Sequence, residues 1–514
     1  MGNYLNPNNS YFKQILKSKI YVDKSLLIEK TNEIVGSSES KLCVSRPRRF
    51  GKTTDANMLV AYYSKGADSS SLFDSLKISQ SSTYMEHLNR YNVIYLNMQD
   101  FLSLSQTTEQ LIRRITEFVM VELKQEFPDV YYYLDAELSV SLMNINAQTG
   151  QTFIFIIDEW DCIFRSTTKE DYEKYLDFLR TLLKDQAYVE LAYMTGILPI
   201  KKTGTHSGLN MFKEISMIDP FNYSKFMGFT EDEVKFLCNQ YNMDFKEMQS
   251  WYNGYHLDEQ VSVYSPRSVV YAIDSRRFNN YWTSSETYES LAKYITMNFD
   301  GLKEAVIQLL AGEYIDVNVN KFTNDMTTFN SKDDILTLLV HLGYLGYLFE
   351  EGKVYIPNRE VESAFIASIE DLSWDYVSQA VINSKNTLEA LWNKDGKKVA
   401  HYIEQAHLET SILQYNDENA LAYTIYLALI AAKNHYTMIR ELPSGKGFAD
   451  IAFIPFTDKP AMIVELKWDK DANSAIKQIK NKQYPKSLEK YQDNLIIVGI
   501  NYDKVTKKHT CIIE

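Results

Sequence analysis

Residues 45–54 read SRPRRFGKTT, and the reading of this stretch decides what the first half of the chain is. A phosphate-binding loop of the form G-x-x-x-x-G-K-[ST] works by surrounding phosphate with backbone N–H groups and a helix N-terminus. A lysine reaches the β and γ phosphates and a hydroxyl meets Mg²⁺. Gly51, Lys52 and Thr53 fit the second half of that pattern, whereas Ser45 and Arg46 stand at its start, where glycine is expected. Taken alone, the string is equally a nucleotide site or a basic loop that happens to end in GKT.

The flanking residues supply the context. KLCVS (41–45) has the short apolar character of a buried strand, and the residues after Gly51, TTDANMLVAYYSKG, have helical composition, so the loop joins a strand to a helix. Further along, FIFIIDE (153–159) is a β-rich apolar run ending in two acids. A strand that delivers Asp158 and Glu159 from its C-terminal end places one carboxylate to hold Mg²⁺ and a neighbour to orient an attacking water. The alternative is that the two acids cap the next helix; the order of GKTT before IIDE favours the nucleotide reading. The expected nucleotide ligands are therefore Arg49, Gly51, Lys52, Thr53, Thr54 and Asp158, with Glu159 catalytic. Thr195, at the end of ELAYMTG (190–196), either senses the γ-phosphate or bonds its own backbone. Arg46, Arg48 and Arg49 either steer phosphate or pair locally, and no arginine finger is assigned.

Around these motifs, residues 1–215 alternate apolar runs (41–45, 91–98, 152–158, 190–196) with helical segments (103–127, 169–186). This is the pattern of a parallel sheet in an α/β domain, here one that carries a P-loop. Residues 216–300 read as a helical lid region. Residues 301–400 read as helical and winged-helix-like, because DDILTLLVHLG is followed by two strand-like runs about the turn Glu351-Gly352-Lys353. Residues 401–514 read as a small α/β domain in the order helix (416–433), strands (436–442, 448–456, 461–467), helix (473–491) and strand (494–502).

That last block carries the second motif, GFADIAFIPFTDKPAMIVELKW. On adjacent antiparallel strands Asp450 and Glu465 can lie together, and the period of two puts Glu465 and Lys467 on one face, with Leu466 on the other. Two carboxylates suit Mg²⁺ or Mn²⁺, and the lysine can activate water or stabilise charge on a phosphate, which is the equipment for phosphodiester cleavage. A bare Glu-x-Lys is more commonly a surface cross-pair; the strand-turn-strand setting between two helices argues for the site. Gln478, among Lys477, Lys480 and Lys482, either supports this site or a nucleic-acid backbone, or lies on a solvated helix face.

The net charge of −13 argues against a general nucleic-acid-coating surface, but from Glu441 onward 12 Lys and Arg face 10 Asp and Glu, so a nucleic-acid contact is expected at this end. Four cysteines spaced far apart, Cys43, Cys162, Cys238 and Cys511, read as reduced thiols. The opening MGNYLNPNNS has no apolar signal region, and no apolar run reaches the ~20 residues of a membrane span. A soluble, cytoplasmic protein is expected, with its oligomeric state left open.

With both motifs in place, the chain resembles bacterial proteins that join an AAA-ATPase-like domain to a C-terminal PD-(D/E)XK nuclease-superfamily domain. The resemblance is carried by YVDKS (21–25), SRPRRFGKTT, FIIDEWD (155–161), MTGI (194–197), HSGLN (206–210) and WYNGYH (251–256). In the last block it is carried by GKGFADIAF (445–453), IVELKW (463–468) and AIKQIKNKQY (475–484). It implies that Lys52 and Thr53 meet phosphate and Mg²⁺, that Asp158 and Glu159 form the second ATPase motif, and that Asp450, Glu465 and Lys467 form the nuclease core. It also implies that Glu418 adds an acid there, and that a non-glycine start to the loop is usual. The implied partners are ATP and nucleic acid, DNA ahead of RNA, in a defence or mobile-element setting. An ATP-switched regulator whose last domain binds without cutting is the competing expectation.

Overall fold

The computed structural model describes residues 2–165, 169–200, 209–258, 261–282, 288–297, 299–322, 329–370, 375–409, 424–444, 447–456, 459–481, 488, 491 and 493–514. The chain divides into two compact units, Met1–Tyr281 with Asp316–Glu360, and Trp282–Ile315 with Val361–Glu514.

The first unit is built on five parallel strands: β1 (Lys41–Ser45), β2 (Asn92–Asn97), β3 (Phe153–Asp158), β4 (Val189–Gly196) and β5 (Lys213–Ile215). Their order is β2-β3-β4-β1-β5. All six residues of β3 are buried, as a strand with neighbours on both edges and helices on both faces requires. The order inserts β4 between β1 and β3, with Val44 opposite Thr195 and Ile157 opposite Met194. The C-terminal ends of β1, β4 and β3 are therefore contiguous along one edge of the sheet, where a ligand crevice forms in parallel α/β folds.

Helix α1 (Lys52–Tyr63) follows β1 directly. Its apolar side, Ala56, Leu59, Val60 and Tyr63, is fused into the core with Leu42, Val44, Ile154 and Ile156. Helix α2 (Thr108–Glu126) buries Leu111, Ile115, Val119 and Leu123, a stripe at four-residue spacing, and Thr107 caps it by accepting from the Gln110 N–H at 3.2 Å. Each such burial contributes on the order of 2 kcal/mol.

Still in this unit, three short strands, β6 (Phe229–Thr230), β7 (Tyr255–His256) and β8 (Ser262–Tyr264), pair in the order β6-β8-β7. Helix α3 (Lys332–Leu342) starts in a capping box between Ser331 and Asp334, and stops at Gly343, whose φ of 85° is the left-handed value that favours glycine. The hairpin β9 (Gly346–Leu348) and β10 (Lys353–Tyr355) then turns at Gly352, φ 63°. Helix followed by hairpin is the order expected of these residues.

The second unit contains a mixed five-stranded sheet of β11 (Tyr436–Ser444), β12 (Gly447–Pro455), β13 (Ala461–Trp468), β14 (Leu495–Asp503) and β15 (Lys508–Ile513), in sequence order. All pairs are antiparallel except β13 with β14. The sequence led to a last strand at 494–502; the sheet carries one more, β15. It is an edge strand with only His509 buried, and its polar start, KHT, hid it from a search for apolar runs. Helix α4 (Ala472–Asn481) crosses β14 at Gly499, where an added Cβ would stand 2.6 Å from the Ala472 carbonyl oxygen, so only glycine admits this approach. The four cysteines are free thiols. Among the described residues, no helix is long and apolar enough to cross a membrane.

Candidate functional site

Two separate constellations emerge, one in each unit. In the first, the chain leaves β1 through Arg46 and returns as α1, with Gly51 at φ 96° and Arg49 at φ 71° making the tight turn. Gly51 is the N-cap, so the α1 N-terminus opens onto the loop. Lys52 is buried, and its Nζ donates to the Arg46 and Pro47 carbonyl oxygens, both at 2.9 Å. Lys52 thus closes its own loop. Burial pulls its pKa down to about 8, partly offset by the carboxylates of Asp161, Asp158 and Glu159. Those three acids lie close enough to act on the ammonium, which puts the two motifs named from sequence in one place.

Asp158 is fully buried at the end of β3. Its Oδ1 accepts from the Thr195 hydroxyl and from the Glu159 N–H at 3.1 Å, while Oδ2 is buried with no hydrogen-bond partner among the described residues. A buried carboxylate oxygen left unmatched is costly unless a cation or donor meets it. A hard-oxygen donor of this kind fits Mg²⁺, and Thr53, exposed in the first turn of α1, has a hydroxyl that could serve beside it. Thr195 does more than either sequence alternative proposed: it spans β3 and β4 by bonding Asp158. Glu159 adopts φ 54°, and its N–H also lies 3.4 Å from the Thr195 hydroxyl. Thr54 is half-buried beside Thr53. The Arg49 Nη1 donates to the Tyr281 carbonyl at 2.8 Å, so its head group is directed to the chain after the small sheet.

Sequence reasoning passed over two acids here, Asp161 and Asp55. Asp161, fully buried, accepts from the Ile197 and Leu198 N–H groups at 3.1 and 2.9 Å and so pins the chain beyond β4. Gly196 makes room for it, since a Cβ there would meet Trp160 Nε1 at 2.5 Å and Asp161 Oδ1 at 2.7 Å. Asp55, one turn into α1, is buried, and desolvation pushes its carboxyl well above the usual range. A third acid in the FIIDEWD run and an acid directly after GKTT were the available signals. Arg46 is fully buried: its N–H donates to the Gly196 carbonyl at 3.1 Å, Nη1 donates to the Ser45 carbonyl at 3.1 Å, and burial lowers its pKa to about 9. The residue in the glycine position therefore buttresses the loop from beneath.

In the second unit, β12 and β13 pair with Ile451 opposite Val464, and one further step of that register sets Asp450 opposite Glu465 on a shared face. The Asp450 Oδ2 accepts the Leu466 N–H at 2.6 Å, which ties the two strands at this point. Glu465 and Lys467 are buried, not surface side chains, and Lys467 Nζ lies 3.1 Å from Glu465 Oε1. Gln478 Nε2, brought over by α4, donates to the same oxygen. Four of the five residues expected at this site are thus gathered: Asp450, Glu465, Lys467 and Gln478. The fifth, Glu418, lies outside the described residues, as do 206–208 of HSGLN and 482–484 of the basic helix. Among the described residues no group of three His, Cys, Asp or Glu side chains converges as a metal site. The two carboxylates on neighbouring strands supply hard oxygens of the type Mg²⁺ and Mn²⁺ take.

Comparison with known proteins finds a family-model match in each region. Residues 9–206 match the family model described as predicted AAA-ATPase, and residues 416–511 match that of the PD-(D/E)XK nuclease superfamily. An uncharacterised protein from the vnfD 5′ region of Azotobacter chroococcum mcd 1 is 26% identical over 262 residues, covering 49% of each chain. The chain thus spans about half the length of this curated relative. Among solved structures, a Walker-type ATPase of Pyrococcus abyssi superposes with a TM-score of 0.33 at 13% identity, covering 66% of this chain and 94% of that one. The Aeropyrum pernix ORC1 protein, solved in complex with DNA, superposes with 0.27 at 12% identity, covering 71% and 98%. Both superpositions are loose.

Proposed function

We propose that this chain, which joins an AAA-ATPase-like domain to a PD-(D/E)XK nuclease-superfamily domain, binds and hydrolyses ATP and uses that cycle to govern a Mg²⁺-dependent nuclease. The observation that supports the nuclease half is that buried Glu465 takes both Lys467 and Gln478 on one carboxylate oxygen, with Asp450 tied to the same strand through the Leu466 N–H. A surface cross-pair does not need to be buried or to recruit a glutamine from a separate helix.

At the nucleotide site, Lys52 exchanges the two carbonyls of its loop for β and γ phosphate oxygens, and the N–H groups at the α1 terminus cradle the same phosphates. Thr53 and Asp158 would hold Mg²⁺, which would supply positive charge to offset that of the phosphates. Glu159 accepts a hydrogen bond from the attacking water. Thr195, by holding Asp158 Oδ1, leaves Oδ2 directed to the ion. Arg49 and Thr54 complete the ligand set.

At the C-terminal site, Asp450 and Glu465, with Glu418, hold Mg²⁺ or Mn²⁺, which when bound polarises the scissile phosphate and lowers the pKa of a coordinated water. Lys467 stabilises charge on the phosphate or helps to deprotonate the water, and Gln478 fixes the orientation of Glu465. The substrate is nucleic acid, DNA ahead of RNA, in the cytoplasm, with defence against foreign DNA or maintenance of a mobile element as the setting. A nicking assay on supercoiled DNA with Mg²⁺ tests the reading: wild type cuts and Glu465→Ala does not. The competing reading, a regulator whose last domain binds without cutting, is favoured by the net charge of −13, and it predicts DNA retention with no cleavage in either metal.

A further inference from the structure

Away from both sites, the first unit contains a cavity of about 540 Å³ where the chain after β5, the end of β7 and the tip of the β9–β10 hairpin come together. That volume lies in the range of sites that take drug-sized ligands or several peptide side chains. Its floor is apolar, with Leu257 and Tyr347 buried. Phe221 and Phe349 line it while remaining 53% and 66% exposed, an unusual outlay of aromatic surface.

The charged residues that line this apolar floor are acidic. Among the described residues that line the cavity, Asp219, Asp258, Glu350 and Glu351 are carboxylates and none is lysine or arginine. Lys353 pairs with Glu351 at 3.2 Å, and Lys213 Nζ lies 5.0 Å from the centre of the Phe221 ring, so this wall already takes a cation on an aromatic face. An acidic rim repels the polyanion proposed as substrate elsewhere and attracts a cation carried on an apolar body. The wall also contains β9, the outermost strand of its sheet. A strand edge can pair with the main chain of an extended peptide, a contact that a small apolar cation does not use.

We infer that this cavity is a docking site for a protein partner, which presents an extended segment alternating lysine or arginine with large apolar side chains. The apolar side chains enter between Phe221 and Phe349, and the cations meet the carboxylate rim. The inference is independent of the catalytic readings of Lys52 and Glu465.

The test uses the full chain and a fluorescein-labelled, end-capped octapeptide alternating Lys or Arg with Phe or Leu, read by fluorescence anisotropy. A control peptide replaces each basic residue with Glu. Saturable binding of the basic peptide alone is expected, weakened by roughly tenfold or more in Phe349→Ser and in Glu350→Lys. Both positions are exposed, so thermal melts of these variants should overlay wild type, and a Tyr347→Phe variant should bind as wild type does. Equal binding of the acidic peptide, or wild-type affinity in both variants, would overturn the proposal. So would tight binding of tetraphenylphosphonium that displaces the peptide from the same residues, or self-association of the chain that Phe349→Ser abolishes.

Discussion

The lysines of the two proposed phosphate-chemistry sites are held in different ways. At the proposed nucleotide site Lys52 is bound by main-chain carbonyls of its own loop. At the C-terminal site the lysine and a glutamine already rest on Glu465. The first arrangement must rearrange to work, because Lys52 has to give up Arg46 and Pro47 before it can reach phosphate. In the second, Lys467 and Gln478 are already placed on Glu465. On the proposed reading, a ligand-driven change is therefore expected at the loop around Lys52 more than at Glu465.

This contrast breaks most sharply under substitution of the preassembled site. Glu465→Ala or Lys467→Ala should lower Mg²⁺-dependent cutting by roughly 10²- to 10³-fold while ATP turnover, measured by phosphate release, stays at the wild-type level. The reverse substitution, Lys52→Ala, should lower ATP turnover by a comparable factor, roughly 10²-fold or more, and remove the response of cutting to ATP. If Lys52→Ala turns over ATP normally, the loop at 45–54 is not the nucleotide site.

A smaller effect sharpens the account of the second site. Gln478→Leu removes a donor that orients Glu465 without touching phosphate, and should cost roughly 10- to 100-fold in cutting or in Mn²⁺ affinity. Cutting at the wild-type rate would show that the Gln478–Glu465 bond has no part in the reaction. The smallest expected effect tests the first site through pH. Burial holds the Lys52 pKa near 8 in the free chain, and bound phosphates favour its charged form. ATP affinity should be flat below pH 8 and fall by up to about tenfold per unit above it, as the bound state takes up a proton that the free state lacks. Calorimetry in buffers of different ionisation enthalpy reads this directly: uptake near zero at pH 7, approaching one proton at pH 9. Uptake independent of pH would remove Lys52 from phosphate contact.

Much of this organisation was legible in the residues, for reasons that differ from site to site. Buried parallel strands such as KLCVS and FIFIID announce themselves because both faces must be apolar, and their strand-end acids and the GKT turn then fall at the sheet edge. β5, three residues long, and β15, with its polar start, escaped because short edge strands are only half-buried. The burial of Glu465 and Lys467 was illegible, since Glu-x-Lys has the same spelling on a surface and in a core; it depends on β12, β14 and α4 closing around β13. The Thr195–Asp158 bond required knowing that β4 lies between β1 and β3, a topology that local patterns do not encode. Asp55 and Asp161 were in view but looked like ordinary helix and turn acids.

The central claim is that an ATP-responsive chain cuts nucleic acid with the residues about Glu465. Incubating wild type and Glu465→Ala with single-stranded DNA, double-stranded DNA and RNA, in Mg²⁺ and in Mn²⁺, with and without ATP, tests it most directly. The account predicts cleavage of at least one DNA form by wild type, a rate that changes when ATP is added, and none by Glu465→Ala. Intact nucleic acid in every wild-type lane, or cleavage that persists in Glu465→Ala, would contradict it.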